Sequence, residues 1–170
     1  MRGQRAAILL LVTLGMGPSS AASAAPRPPD VSFETSSQTE EAFLTTYCWG
    51  EYDPPLTYTE CEEGDVPGGP ARRVRGLDSV RFRIDHPQQP DDVELVYWRG
   101  RQWWRPDRPR TLAVTTRQTI EGSSIAWIVE FQLPHRWKHL SLELGASWDA
   151  EASCPTCGRQ WAHWRVTLSS

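Results

Sequence analysis

Apolar and polar residues alternate along most of the chain beyond residue 42. Val80, Phe82 and Ile84 alternate with Arg81, Arg83 and Asp85, and Val93, Leu95 and Tyr97 with Glu94, Val96 and Trp98. Leu140, Leu142, Leu144, Ala146 and Trp148 alternate with Ser141, Glu143, Gly145 and Ser147. Ala162, Trp164, Val166 and Leu168 do so with Trp161, His163, Arg165 and Thr167. Ile125, Trp127, Val129 and Phe131 recur at spacing two, Leu112 and Val114 lie in a Thr-rich run, and Phe43 to Trp49 forms a further candidate strand. Period two is the pattern of a strand with one face buried. Pro87, Pro90, Gly100, Pro106, Pro109, Gly122, Pro134, Pro155 and Gly158 punctuate these runs. The pattern predicts an all-β fold, an antiparallel β-sandwich of immunoglobulin-like size with about seven strands. Trp127, Trp148 and Trp164 fall on the apolar faces and are expected in the core.

The N-terminus follows a different rule. Arg2 and Arg5 precede an apolar run from Ala6 to Met16, and small residues lead to Ala22-Ser23-Ala24-Ala25. A basic start, a short apolar run and an Ala-x-Ala site predict a secretory signal peptide over 1–25, cleaved after Ala24 or Ala25. The competing retained anchor is short for a bilayer, which needs roughly 20 apolar residues. Residues 26–41, rich in Pro, Ser, Thr and acid, read as a flexible acidic leader. Residues 42–170 are then the folded domain.

The chain has 170 residues, 39% hydrophobic and 23% charged, the size of one ordinary domain. Loss of Arg2 and Arg5 with the signal turns 18 bases against 21 acids into 16 against 21, a net charge of −5. That balance argues against a nucleic-acid binder held by phosphate contacts. The Arg-for-Lys bias, with Lys138 the one lysine, fits a GC-rich bacterial genome. Ten acids and no Lys or Arg lie between Asp30 and Asp65, whereas 15 bases face 11 acids from Arg72 onward. Attraction between the two halves is the plain explanation; cation binding by the acidic stretch, Glu60 to Asp65 above all, is the sharper one, although no EF-hand spacing is present.

Tyr47-Cys48-Trp49 opens the domain, and a glycine-led turn enters Val80-Arg81-Phe82-Arg83-Ile84. A late strand ends in Ala146-Ser147-Trp148, and Gln160-Trp161-Ala162-His163-Trp164-Arg165-Val166 closes the chain. This order, over residues 45–168, resembles small secreted proteins and lipoproteins of bacteria that begin with a Tyr-Cys-Trp segment and fold as immunoglobulin-like sandwiches. The resemblance implies a fold and an address at the cell envelope or outside it, with no activity to carry over. The chain departs from the lipoproteins in having no cysteine placed for lipidation.

Four cysteines, Cys48, Cys61, Cys154 and Cys157, form an even set that favours disulfides in an exported protein. The short stretch between Cys48 and Cys61 favours that pair, with Cys154 and Cys157 bridging in the last turn; long-range bridges are the rival. Cys154-Pro155-Thr156-Cys157-Gly158 also has the shape of a zinc knuckle without a matching second half, and of a C-x-x-C redox dithiol without its βαβ context.

Catalytic signatures are wanting. His135 and His139 lie four apart but follow Leu133-Pro134, which favours a loop. No Gly-x-Ser-x-Gly elbow occurs, and Pro67-Gly68-Gly69-Pro70 lacks the Lys-Ser/Thr of a phosphate loop. Asp91 and Asp92 read as solvated turn residues. His163, beside Trp161 and Arg165 on the outer face of the last strand, would be a cross-strand partner or line a surface site. The most unusual composition is Tyr97 to Arg110. There Trp98, Arg99, Arg101, Trp103, Trp104 and Arg105 make a candidate binding patch, because adjacent tryptophans in a strand point to opposite faces. Plain Trp–Arg stacking is the competing explanation. The reading is an exported, non-catalytic sandwich with no catalytic residues, no metal, no cofactor and no membrane span once the signal is removed. Its expected partner is a cell-envelope protein or glycan. The alternative is a thiol-redox or zinc protein acting through Cys154 and Cys157.

Overall fold

The computed structural model describes residues 27–53, 56–63, 72–74, 79–100, 108–149 and 159–169. Among these residues there is no helix, and twelve strands form two sheets that pack face to face. The smaller sheet runs in the order β2 (Thr39–Glu41), β1 (Val31–Glu34), β6 (Val80–Ile84), β10 (Ser124–Phe131), β9 (Val114–Glu121). The larger runs β4 (Leu56–Glu63), β3 (Phe43–Asp53), β12 (Arg159–Ser169), β11 (His139–Asp149), β7 (Asp92–Arg99), β8 (Arg110–Leu112). The two-residue β5 (Arg72–Arg73) lies parallel to the end of β12, and every other pairing is antiparallel.

The inner faces are those the alternation predicts. Phe33, Phe82, Ile84 and Val129 of the smaller sheet meet Leu95, Leu142, Leu144, Trp164 and Val166 of the larger in one core. Trp127, Trp148 and Trp164 are all buried. At one end of the sandwich Trp49 and Trp148 pack edge to face at 5.1 Å, with the His86 ring 5.2 Å from Trp148. The Trp148 indole N–H donates to the Gln88 carbonyl at 3.2 Å, which satisfies the polar end of a buried aromatic.

Two features depart from the sequence pattern. The segment read as a flexible leader, 26–41, contains β1 and β2. Val31 and Phe33 are 1% and 2% exposed, and β1 pairs along its whole length with β6, so the leader assignment is corrected: two alternating apolar residues suffice to dock a four-residue strand when its partner strand is already in place. The Thr-rich run around Leu112 and Val114 is two strands in different sheets, with the chain crossing between them at Ala113. β9 then turns into β10 through Gly122-Ser123. Gly122 has φ +62° at the first central position, the conformation that a tight hairpin turn of this kind needs and glycine supplies without strain.

Cys48 and Cys61 are bonded as expected, at directly opposed positions of β3 and β4 with Cα atoms 4.0 Å apart. Their intervening stretch is largely paired strand rather than open loop. Cys154 and Cys157 lie outside the described residues.

Candidate functional site

The alternation that sends Leu95, Leu144 and Trp164 inward sends Glu94, Gly145 and His163 to the outer face of the larger sheet. Strand register then arranges the outward side chains in rows. Asp92, Ser147 and Trp161 form one row; Glu94, Gly145 and His163 the next; Val96, Glu143 and Arg165 the third. The middle row has a gap because Gly145 carries no side chain. A groove of about 220 Å³ opens there. Gly145 is its floor, Asp92 and Glu94 stand on one bank, Trp161 and His163 on the other, and Arg159 with Ser147 closes one end.

The aromatic bank is held in place by a chain of contacts. His163 lies over Gly145: a Cβ at that position would sit 3.3 Å from His163 Cε1 and 3.4 Å from Nε2. His163 Nδ1 is 3.3 Å from Glu143 Oε1, and the other Glu143 oxygen accepts from Arg165 Nη2 at 2.6 Å and Nε at 3.1 Å. Burial pushes the Glu143 carboxyl up, but the hydrogen bonds from His163 and Arg165 and then their charges hold it below its ordinary value, so it remains a carboxylate. The imidazole ring thus lies over the groove floor, with Cε1 and Nε2 the atoms nearest to it. The backbone beneath is fixed as well. β3 is irregular opposite His163 and Trp164, and the Thr45 hydroxyl donates to the His163 carbonyl at 3.0 Å. Trp161 packs edge to face on His163 at 5.6 Å, with Cys48 of the β3–β4 bridge opposite it on β12's other side.

The end of the groove is a second anchored unit. Arg159 donates to Ser147 Oγ from Nη2 at 2.7 Å and from Nε at 3.1 Å, and its Nη2 lies 3.7 Å from Asp92 Oδ2. Glu94 has no ion-pair partner among the described residues. The groove therefore offers carboxylate acceptors on one side, guanidinium, imidazole and indole on the others, and a hydroxyl between them.

Of the patch read from the sequence, Trp98 lies on this same face but beyond Glu143. Its half-buried ring stacks under Arg165, whose Cζ is 5.6 Å from the ring centroid, so Trp98 supports the Arg165–Glu143–His163 chain. Arg99 is exposed at the end of β7. Arg101, Trp103, Trp104 and Arg105 lie outside the described residues. His135 is exposed, and His139 begins β11. Tyr47 is buried on β3 with Glu60 and Glu62 of β4 against its phenol; burial first, then the two carboxylates, raises its pKa. Among the described residues no three His, Cys, Asp or Glu side chains are grouped to hold a metal ion, and no helix is long and apolar enough to cross a membrane. Asp92, Glu94, Gly145, Ser147 and Arg159 escape a reading of the sequence as a binding set. The cue that was present is a glycine at an outward position in mid-strand, which marks close approach of something to the backbone. No family model, curated protein or solved structure matches the chain.

Proposed function

We propose that this is an exported, immunoglobulin-like β-sandwich that acts by binding a protein or glycan of the cell envelope, and that the groove over Gly145 is where it binds. The observation that carries this is the groove at Gly145 on the outer face of the larger sheet, lined by side chains of mixed chemistry, several of them fixed by hydrogen bonds. Two antiparallel sheets joined by crossovers, with tryptophans in a shared core, support the immunoglobulin-like assignment. The basic, apolar, small-residue order of 1–25 and the Cys48–Cys61 bridge support export.

Binding fits this arrangement better than catalysis. Ser147, His163 and Glu143 are the residue types of a nucleophilic triad, yet the Ser147 hydroxyl is engaged by Arg159. β11 is paired on both sides, so its amides are spent in the ladder and leave no pair of N–H donors for an oxyanion. The test is capture of the purified mature domain by envelopes of the producing cell. Trp161→Ala or Glu94→Gln should abolish capture while circular dichroism stays that of the native fold. Capture unchanged in both variants would refute this site.

A further inference from the structure

We infer that the ligand of the groove is a single neutral sugar ring, a pyranose presented by an envelope glycan. The inference rests on the binding reading above and adds the chemical class. Three observations select it. The first is size: about 220 Å³ is below the roughly 300–1,000 Å³ of pockets that engulf a drug-sized ligand, and suits one ring on an open sheet face. The second is charge. An anionic ligand would meet Asp92 and Glu94, and a cationic one would find Asp92 already facing Arg159 and Glu94 alone open to it. A neutral ligand needs no counter-charge and can still accept from the guanidinium and donate to the carboxylates.

The third observation is the pairing of donors and acceptors. Ionised Asp92 and Glu94 only accept, Arg159 only donates, the Trp161 indole donates, and Ser147, whose oxygen already accepts twice from Arg159, has its O–H left to donate. A ligand that satisfies acceptors on one bank and donors on the other must carry several groups that each donate and accept. Neighbouring hydroxyls on a ring do this, with a pair donating to one carboxylate and accepting from the guanidinium. The C–H face of such a ring is the apolar counterpart that an aromatic bank of Trp161 needs, while an extended apolar ligand would leave the carboxylates desolvated and unpaired. Gly145 gives the ring its depth, since any side chain there would displace the His163 imidazole or fill the floor.

The experiment is an NMR titration of the mature domain with D-glucose, D-galactose, D-mannose and N-acetyl-D-glucosamine, each tested alone. Capture by envelopes is measured on the same preparations. At least one sugar should shift the Trp161 indole and Gly145 amide signals with a Kd on the order of 1 mM, as expected for one ring with few contacts. Glu94→Gln and Trp161→Ala should each weaken it about tenfold or more, and Thr167→Ala, on the same face but away from the groove, should leave it unchanged. Glu94→Gln is an exposed substitution and keeps the test open should Trp161→Ala disturb the fold. Absence of shifts with every sugar, while envelope capture still depends on Glu94, would overturn the sugar and leave a protein ligand. Absence of both would overturn the binding site itself. Shifts that survive both groove variants would also overturn the assignment.

Discussion

The two outer faces of the sandwich are both charged, and they differ in what their charges do. On the smaller sheet each arginine has an acid in reach: Arg81 with Glu34 of the neighbouring strand at 2.6 Å, Arg83 with Asp85 just past its own strand at 2.8 Å and with Glu121 two strands away at 2.9 Å, Arg117 with Glu130 of the neighbouring strand at 3.1 Å. Ile128, opposite both Arg83 and Arg117, is 3% exposed beneath this lattice, as arginine stems cover apolar surface while their heads stay in water. That face is closed on itself. On the larger sheet the pairing is tight from Trp98 through Arg165 and Glu143 to His163, breaks at Gly145 and resumes at Arg159, Ser147 and Asp92, leaving Glu94 to face the gap. Charge density alone therefore does not mark a site; the place where mutual satisfaction ends does.

The contrast can be broken from either side. The largest effect should come from the staple beside Trp161: replacing Cys48 and Cys61 together by Ser should lower stability by about 3 kcal/mol in the chain-entropy account of a loop this short, read as a shift in denaturant midpoint. Next comes Glu143→Ala. It takes from Arg165 the carboxylate that accepts from its Nη2 and Nε, in a pair whose side chains are only 13% and 15% exposed, and should cost about 2–3 kcal/mol, below the figure for a fully buried pair. It should also loosen His163 and weaken ligand capture. Glu130→Ala on the smaller sheet removes a pair 49% and 45% exposed, and should change stability by no more than about 0.5–1 kcal/mol with no effect on capture. Equal costs for Glu143→Ala and Glu130→Ala would erase the distinction between the faces.

Acid should reveal the same asymmetry. The folded pKa of Glu143 is lowered from the ordinary 4.5, so the folded state binds its proton less readily than the unfolded chain. Its contribution is fully present above the unfolded value and fades as pH falls through the folded one. The stability gap between wild type and Glu143→Gln should hold steady from about pH 7 to about pH 5 and shrink steadily below about pH 4.5. A gap independent of pH would show that the carboxylate is not the group that holds His163 and Arg165.

Much of the fold was legible because a half-buried strand writes its inner face into the sequence. Val80 to Ile84, Leu140 to Trp148 and Ala162 to Leu168 each carry an unbroken alternation, and each is a strand with the expected side inward. The signal failed where strands are short or polar. β1 offers only Val31 and Phe33 amid Ser, Thr and Pro, and β4 reads Leu-Thr-Tyr-Thr-Glu-Cys-Glu-Glu, with no apolar alternation. The candidate site was hidden for another reason. Glu94, Gly145 and His163 are far apart in sequence and become neighbours only through the register of β7, β11 and β12, which no single segment encodes. Trp98 was noticed for its composition, and its role proved to depend on Arg165, a residue on another strand.

The most direct test of the account is an amide and indole NMR spectrum of the protein recorded with and without solubilised material from the envelopes proposed to hold its ligand. Signals of Asp92, Glu94, Gly145, Ser147, Trp161 and His163 should move, while those of Arg81, Arg117, Ile128 and Glu130 stay in place. Movement confined to the smaller sheet, or spread equally over both faces, would contradict the account.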